Sequence, residues 1–166
     1  MSAKDLIHVL ERQLDIHEEL LALAERKSAA LVRDDANEVS AIVNKESKLI
    51  RIVDDLVKEQ QEATNAFFRA KGFQPTRAIT VTELARMVTE PTEKAELLNA
   101  RDRLTAAIER LKLANEHNRQ LILQSLSFIN LSVDLIMGPS EDDAIYHRPS
   151  QPTISTGRPG MFDRKA

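Results

Sequence analysis

The chain of 166 residues contains no cysteine and no tryptophan, and only 4% of its residues are aromatic. The absence of cysteine excludes a disulfide-stabilised fold, a thiolate metal site and a cysteine nucleophile, and it agrees with a reducing cytosol. The shortage of aromatic residues leaves few platforms on which nucleic-acid bases could stack. The formal net charge is −3, so no global positive field attracts phosphate, and a nucleic-acid partner is not expected.

Glycine and proline are almost missing from the first 137 residues. Of four glycines only Gly72 lies before residue 138, and of six prolines only Pro75 and Pro91 do. Residues 1–137 therefore contain very few helix breakers, whereas residues 138–166 contain the remaining three glycines and four prolines. We predict a helical domain over residues 1–137 and an irregular, disordered tail over residues 138–166, whose scattered apolar residues are too few for a core.

No hydrophobic run is long enough for a membrane span. The most apolar stretch, Leu121–Met137, has 17 residues and contains Asp134, so we expect it to be too short and too polar to cross a bilayer. Charged residues among the first eight positions do not fit the apolar core of a secretory signal. These features predict a cytoplasmic protein without membrane insertion.

Apolar residues recur at spacings of three and four in three long segments, which is typical of a coiled-coil seam. The predicted fold is all-α: an elongated antiparallel bundle, or coiled coil, of three long helices. A short helix is expected in the second connection, before the irregular tail. The first helix is predicted to begin near Ser2 or Ala3 and to run to about Val32. The others are predicted at about Ala36–Lys71, at Val81–Val88 for the short helix, and from Pro91 to about Met137.

Local signals support these helix ends. Asp35 with Glu38, and Thr80 with Glu83, have the spacing of a capping box, in which side chains satisfy free backbone N–H groups. Gly72 follows the second long helix as a natural stop. No segment shows the alternation of a β-strand.

The last helix is predicted to be the longest, at roughly 68 Å against roughly 53 Å and 45 Å for the other two. In an up-down-up bundle its C-terminal end would extend past the others by roughly 15–20 Å. Eleven of the 17 residues from Leu121 to Met137 are apolar, on nearly every side of the helix. Such a helix must be enclosed by a partner, a second copy or the tail, unless the segment belongs to an ordinary core.

Two amides interrupt the seam of the last helix. Asn115 and Asn118 lie between Leu111 and Ile122, where a buried amide destabilises the fold unless it is hydrogen-bonded. One interpretation is structural: the amides fix the register of the helix, as seam asparagines do in coiled coils. The other is functional: they mark the start of a binding surface and offer hydrogen bonds to a partner.

No pattern of catalysis or metal binding is complete. Asp5 and His8 have the spacing of half of a bundle metal motif, but Glu116-His117 does not supply the other half. His17 and Glu46 occupy seam positions, where a polar contact across two helices is conceivable. Residues 1–137 contain no glycine-rich phosphate loop. We therefore expect no enzyme activity, catalytic residue, metal or cofactor; a bundle metalloenzyme is the most distant alternative.

The run Leu111-x-x-x-Asn115-x-x-Asn118-x-x-Leu121-Ile122-x-x-Ser125-Leu126-x-Phe128-Ile129 resembles the C-terminal signature of FlgN-like flagellar export chaperones. The predicted helix layout of residues 3–137 is similar to that family as well. The resemblance implies a cytosolic chaperone that holds hook-associated proteins of the hook–filament junction before type III export. It also implies that the client's apolar terminal helix is the ligand and that components of the export apparatus are further partners.

The expected partner-binding residues lie on the last helix: Asn115, Asn118, Leu121, Ile122, Ser125, Leu126, Phe128, Ile129, Val133 and Ile136. The same exposed stripe also suits a second copy of the chain. The alternative function is therefore a self-associating coiled-coil adaptor with no chaperone role, and a homodimer is conceivable whenever a client is absent.

Overall fold

The computed structural model describes residues 3–74 and 77–138, and within these residues it contains four α-helices and no β-strand. The helices are α1 (Ala3–Val32), α2 (Ala36–Ala70), α3 (Val81–Met87) and α4 (Pro91–Met137). The all-α fold is therefore confirmed, and every predicted helix ends within about one residue of its expected position. The predicted tail lies outside the described residues apart from Gly138, so its character stays a prediction.

A tight turn joins α1 to α2. Asp34 has a φ of 54°, in the left-handed region that aspartate tolerates better than most residues. The Asp35 carboxylate accepts a hydrogen bond of 3.0 Å from the backbone N–H of Glu38, which satisfies one free donor of the first turn of α2. The N-cap half of the predicted capping box is thus confirmed, but the reciprocal half is not formed, because the Asp35 N–H donates to the Ala30 carbonyl at 3.0 Å. The Glu38 carboxylate pairs with Arg26 of α1 and so links the two helices.

Gly72 ends α2, as predicted. Its φ is +84°, a conformation that side chains with a Cβ rarely adopt. The N–H groups of Gly72 and Phe73 donate to the carbonyls of Arg69 and Phe68, each at 3.0 Å, and so satisfy carbonyls of the last turn. The Phe73 ring then packs edge-to-face on Phe68, with 6.3 Å between the ring centroids.

The short helix α3 begins with the predicted capping box. The Thr80 hydroxyl accepts from the Glu83 N–H at 3.2 Å, and the Glu83 carboxylate accepts from the Thr80 N–H at 2.9 Å. Three of the seven residues of α3 are buried: Val81, Leu84 and Ala85. Because a helix of two turns has little stability of its own, this burial is what holds α3 in place.

The larger hydrophobic core draws on all four helices. It combines the N-terminal part of α1, the C-terminal part of α2, α3 and the N-terminal part of α4. Its largest fully buried side chains are Leu6, Leu10, Leu84 and Leu97. A second, smaller core joins α1 to the first half of α2 through Leu20, Leu23, Ile42 and Leu49, with Leu111 of α4 packed against it.

Ion pairs show that α1 and α2 run antiparallel. Arg12 pairs with Glu59 at 2.9 Å, whereas Lys27, farther along α1, pairs at 2.8 Å with Glu46, which lies earlier in α2.

The helix α4 runs alongside α1 in the same direction. Near the start of both helices, Lys4 lies 3.8 Å from Glu93. Farther along, Asn118 of α4 donates a hydrogen bond to the carbonyl of Ala24 in α1.

The chain divides into two compact units, Met1–Leu126 and Ser127–Ala166. The described part of the second unit is residues 127–138, which are the last turns of α4 and Gly138. Gly138 has a φ of +81°, and its N–H donates to the Asp134 carbonyl at 2.9 Å, so the helix ends at the predicted glycine. The proposed division into residues 1–137 and 138–166 stays a prediction.

Candidate partner-binding site

The helix α4 changes character along its length. Its buried residues all lie in the first two thirds: Leu97, Ala100, Leu104, Ala107 and Asn118. From residue 119 to residue 137 no side chain is buried, although most of the residues after position 120 are apolar. Leu135, Ile136 and Met137 are about four-fifths exposed, at 79%, 84% and 82%. A dense apolar run in contact with solvent is a common property of surfaces that bind another helix.

The predicted site residues fall into three groups by burial. Asn118 is buried, and Leu121 and Ser125 are partly buried. The other seven are exposed: Asn115, Ile122, Leu126, Phe128, Ile129, Val133 and Ile136. Leu123 and Leu131 belong to the same hydrophobic run but not to the predicted set. They are about as exposed as the predicted residues, at 48% and 57%. The exposed apolar surface at the end of α4 is therefore wider than the single predicted stripe.

A groove of about 390 Å³ opens among α1, α2 and α4, within the unit of residues 1–126. The α4 side chains in it include three of the predicted site residues, Asn115, Asn118 and Ile122. The complete lining is Leu20, Lys27, Glu46, Ile50, Leu111, Asn115, Asn118, Arg119 and Ile122. The groove therefore lies where the buried part of α4 ends and its exposed apolar part begins. We call it the Asn118 groove.

Asn118 links α4 to α1. Its Nδ2 donates to the Ala24 carbonyl at 2.8 Å, and its side chain is only 2% exposed. Ala24 has a small side chain and is fully buried, so α4 lies close to α1 at this point. This contact supports the structural interpretation of Asn118, as a residue that fixes the position of α4 along α1. Asn115, one turn earlier, is exposed and so is free to meet a partner.

A largely buried ion pair forms one wall of the Asn118 groove. The Lys27 Nζ lies 2.8 Å from both carboxylate oxygens of Glu46, and each side chain is 13% exposed. The ion pair therefore joins α1 to α2 at this side of the groove.

The contact considered between His17 and Glu46 is not formed. The antiparallel pairing places Glu46 opposite Lys27, about three helical turns beyond His17 along α1. The His17 ring is buried, and its Nδ1 lies 2.7 Å from the Gln13 carbonyl. Gln13 in turn donates from Nε2 to the Leu56 carbonyl and to Gln60 of α2. The polar contact across α1 and α2 at this level is therefore made by Gln13.

A second cavity, of about 410 Å³, lies beside the connection between α2 and α3. Nothing in the sequence pattern predicted it, because its lining residues come from a helix end, a loop and α3: Phe68, Phe73, Gln74, Arg77, Ile79, Glu83, Arg86 and Met87. Hydrogen bonds from Arg77, and then from the backbone and hydroxyl of Thr80, lower the pKa of Glu83 to about 2. Glu83 is thus ionised at every physiological pH, and it holds the N-terminus of α3 and the Arg77 side chain together.

Two features of the described residues bear on other functions. Within residues 3–74 and 77–138 no three His, Asp or Glu side chains come close enough to hold a metal ion. The expectation that the apolar run of α4 is too short and too polar to cross a bilayer was wrong by length and composition: α4 contains a window of 18 residues with a mean hydropathy of 1.4, which is long and apolar enough. None of that window is buried, so its apolar character is available at the protein surface.

Comparison with known proteins identifies the family. Residues 1–153 match the family model described as FlgN protein. The chain is also 34% identical over 167 residues to the uncharacterized protein YvyG of Bacillus subtilis strain 168, and the match covers all of both chains. No solved structure matches the chain. The match extends well beyond the signature that the sequence of α4 resembles, so the chain belongs to the FlgN family of cytosolic flagellar export chaperones.

Proposed function

We propose that this protein binds and shields the apolar terminal helices of flagellar hook-associated proteins in the cytosol before their type III secretion. Its framework is an elongated antiparallel bundle of the three long helices, and its client surface is the C-terminal third of α4. Components of the export apparatus are the partners to which the loaded chaperone delivers its client. The observation that carries the proposal is the run of exposed large apolar side chains from Ile122 to Met137.

The size of this surface suits a chaperone that holds and then releases its client. Complete burial of a Leu, Ile or Phe side chain contributes about 1.5–3 kcal/mol. Ten large apolar side chains are exposed in this run: Ile122, Leu123, Leu126, Phe128, Ile129, Leu131, Val133, Leu135, Ile136 and Met137. A micromolar complex needs a net of about 8 kcal/mol, so burial of only part of this surface can offset the entropy lost on association.

The chemistry of the client supports the same conclusion. A terminal helix that assembles only outside the cell exposes an apolar seam while it is inside, and an apolar helix surface covers that seam without a folded client. Binding and release of this kind are equilibrium events that need no nucleotide hydrolysis. The membership of the chain in a chaperone family agrees with this mode of action.

Titration with defined peptides tests the proposal. Peptides that cover the N-terminal and C-terminal helices of the hook-associated proteins from the same organism would be titrated calorimetrically into the full chain. We expect one of them to bind with a micromolar or lower Kd and a negative heat-capacity change, which is the mark of apolar burial. A scrambled peptide of the same composition is the control and should not bind.

Two other results would contradict the proposal. If no peptide binds, and sedimentation shows a dimer that Ile129→Asp makes monomeric, then the exposed surface serves self-association and the chain is an adaptor. If no peptide binds, and the protein instead co-sediments with lipid vesicles through α4, then the apolar surface serves a membrane.

A further inference from the structure

The side-chain carbonyl of Asn118 is a hydrogen-bond acceptor that the described part of the chain does not satisfy. Asn118 is 2% exposed, and its Nδ2 is already engaged by the Ala24 carbonyl at 2.8 Å. Its Oδ1 is buried, and no donor among the described residues reaches it. Buried side-chain oxygens in native proteins are nearly always paired, so this atom calls for an explanation. The Oδ1 of Asn65 is also unpaired, but Asn65 does not line the Asn118 groove.

The groove that Asn118 lines combines apolar side chains with charged side chains that are paired. Leu20, Leu111 and Ile122 supply apolar walls of the Asn118 groove. Both basic side chains in its lining are already paired, Lys27 with Glu46 and Arg119 with Glu116 at 3.0 Å. A charged group that entered the groove would therefore be desolvated without an opposite charge to receive it, which is unfavourable. The groove suits an apolar ligand with one neutral hydrogen-bond donor.

We propose that the Asn118 groove recognises one neutral hydrogen-bond donor on a client helix. The donor is the side chain of a Ser, Thr, Asn or Gln that lies within the apolar stripe of that helix. The inference rests on the proposed function and assigns to Asn118 Oδ1 the task of accepting from that donor. The donor must be a side chain, because the backbone N–H groups of a helix beyond its first turn are already used within the helix. Rotamer changes at the exposed Ile122 and Asn115, of the kind common on binding, give it access.

Such a contact sets register and specificity. Apolar side chains along α4 accept many helices in several registers, since apolar contacts have no direction. One buried acceptor beside them disfavours every register that leaves it unpaired, as a seam asparagine does in a coiled coil. Asn118 is suited to the task because the bond from its Nδ2 to Ala24 fixes the side chain before the client arrives.

A double-mutant cycle tests the inference. The probe is whichever terminal-helix peptide of a hook-associated protein binds the wild-type chain, together with variants in which each Ser, Thr, Asn and Gln is replaced in turn by Ala. With the wild-type protein we expect one replacement to raise Kd about tenfold. With Asn118→Leu, which is similar in size and carries no acceptor, the same replacement should change Kd less than twofold. Asn65→Leu is the matched control, because it removes another unpaired amide oxygen that lies outside the Asn118 groove, and there the tenfold effect should persist.

The outcomes separate the inference from the proposed function. If peptides bind but no replacement loses its effect in Asn118→Leu, the inference is overturned while the chaperone function stands. If the effect disappears equally in Asn65→Leu, the acceptor in the Asn118 groove is not its source, and the inference is again overturned. If no peptide binds the wild-type chain, the proposed function itself fails. Should Asn118→Leu lose its helical circular dichroism, Asn118→Ala takes its place, because it removes the same acceptor without adding bulk.

Discussion

Lys27 and Glu46 form the most enclosed of the ion pairs found in the described residues. The ammonium group of Lys27 lies 2.8 Å from both carboxylate oxygens of Glu46, and each side chain is 13% exposed. In the pair between Arg12 and Glu59, which joins the same two helices, the side chains are 45% and 42% exposed. The two pairs connect α1 to α2 in similar geometry but differ in their access to solvent, and this difference makes them a matched test of buried charge.

Replacement of Lys27 by Met should destabilise the free protein. The change leaves the largely buried Glu46 carboxylate without its partner. We expect this loss to lower the free energy of unfolding by about 1–3 kcal/mol. Thermal unfolding followed by circular dichroism measures the loss. The control, Glu59→Gln, breaks the exposed pair and should cost less than about 1 kcal/mol. Equal losses in the two variants would show that the enclosure of Lys27 and Glu46 has no energetic effect.

Replacement of Ile129 by Asp should abolish client binding and leave the free protein intact. Ile129 is 54% exposed, so a carboxylate there is solvated in the free protein but buried without a partner in the complex. We expect the binding free energy to fall by at least about 2 kcal/mol, or roughly 30-fold in Kd. Thermal unfolding should change by less than about 0.5 kcal/mol. Calorimetry with the terminal-helix peptide, and circular dichroism, give the two quantities.

The neighbouring exposed residue supplies the control for this experiment. Asn130→Asp places the same carboxylate one position along α4, at a residue that is polar already. It should bind the client nearly as well as the wild-type chain does. If Ile129→Asp unfolds the free protein, the residue belongs to a core and the interpretation of this surface is wrong.

Replacement of Phe128 by Ala should weaken client binding with little effect on stability. The Phe128 side chain is 71% exposed, so its removal deletes almost no packing in the free protein. An aromatic side chain at an interface is a common anchor, and its truncation typically costs more than 1 kcal/mol, or about fivefold or more in Kd. The measurement is peptide titration of the variant. Equal Kd values for the variant and the wild-type chain would remove Phe128 from the contact surface.

The capping interaction at α3 should resist acid. The pKa of Glu83 is lowered from an ordinary value of 4.5 to about 2, first by hydrogen bonding to Arg77. Because the folded pKa lies below the unfolded one, the stabilising contribution is present above about pH 4.5 and is lost as the pH falls toward 2. A titration of the Glu83 side-chain carbon by NMR should have its midpoint near 2. In Arg77→Gln the midpoint should rise, and an unchanged midpoint would exclude Arg77 as the cause.

Local signals in the sequence were sufficient to predict the helices and their ends. Asp35, Gly72, Thr80 and Pro91 each act within one helical turn, through a side-chain cap, a positive φ or a missing N–H group. Their effect does not depend on the rest of the fold. The exposed apolar segment was predictable for a similar reason, since a helix apolar on most sides lacks a polar side to face solvent.

Contacts between helices were less predictable. The pairing of Lys27 with Glu46, and of Asn118 with Ala24, depends on how far α2 and α4 are shifted along α1. A heptad pattern repeats every seven residues, so it does not distinguish one shift from the next. His17 and Glu46 both occupied seam positions, but the shift places them at different levels. The Asn118 groove follows from the same shift: the sequence pattern indicated its α4 residues Asn115, Asn118 and Ile122, but not the α1 and α2 side chains that complete its lining.

The exposure of the end of α4 also has a consequence for how tightly it can bind. The described side chains of residues 127–137 are not buried, so within that unit the helix depends on intrinsic propensity, and Ser127, Asn130 and Ser132 are weaker helix formers than alanine. A client that binds only the helical form of this segment binds more weakly when the segment is partly unwound, because part of the binding free energy is used to rewind it. Affinity is therefore adjustable at positions that never touch the client, by changes that only alter how often the segment is helical.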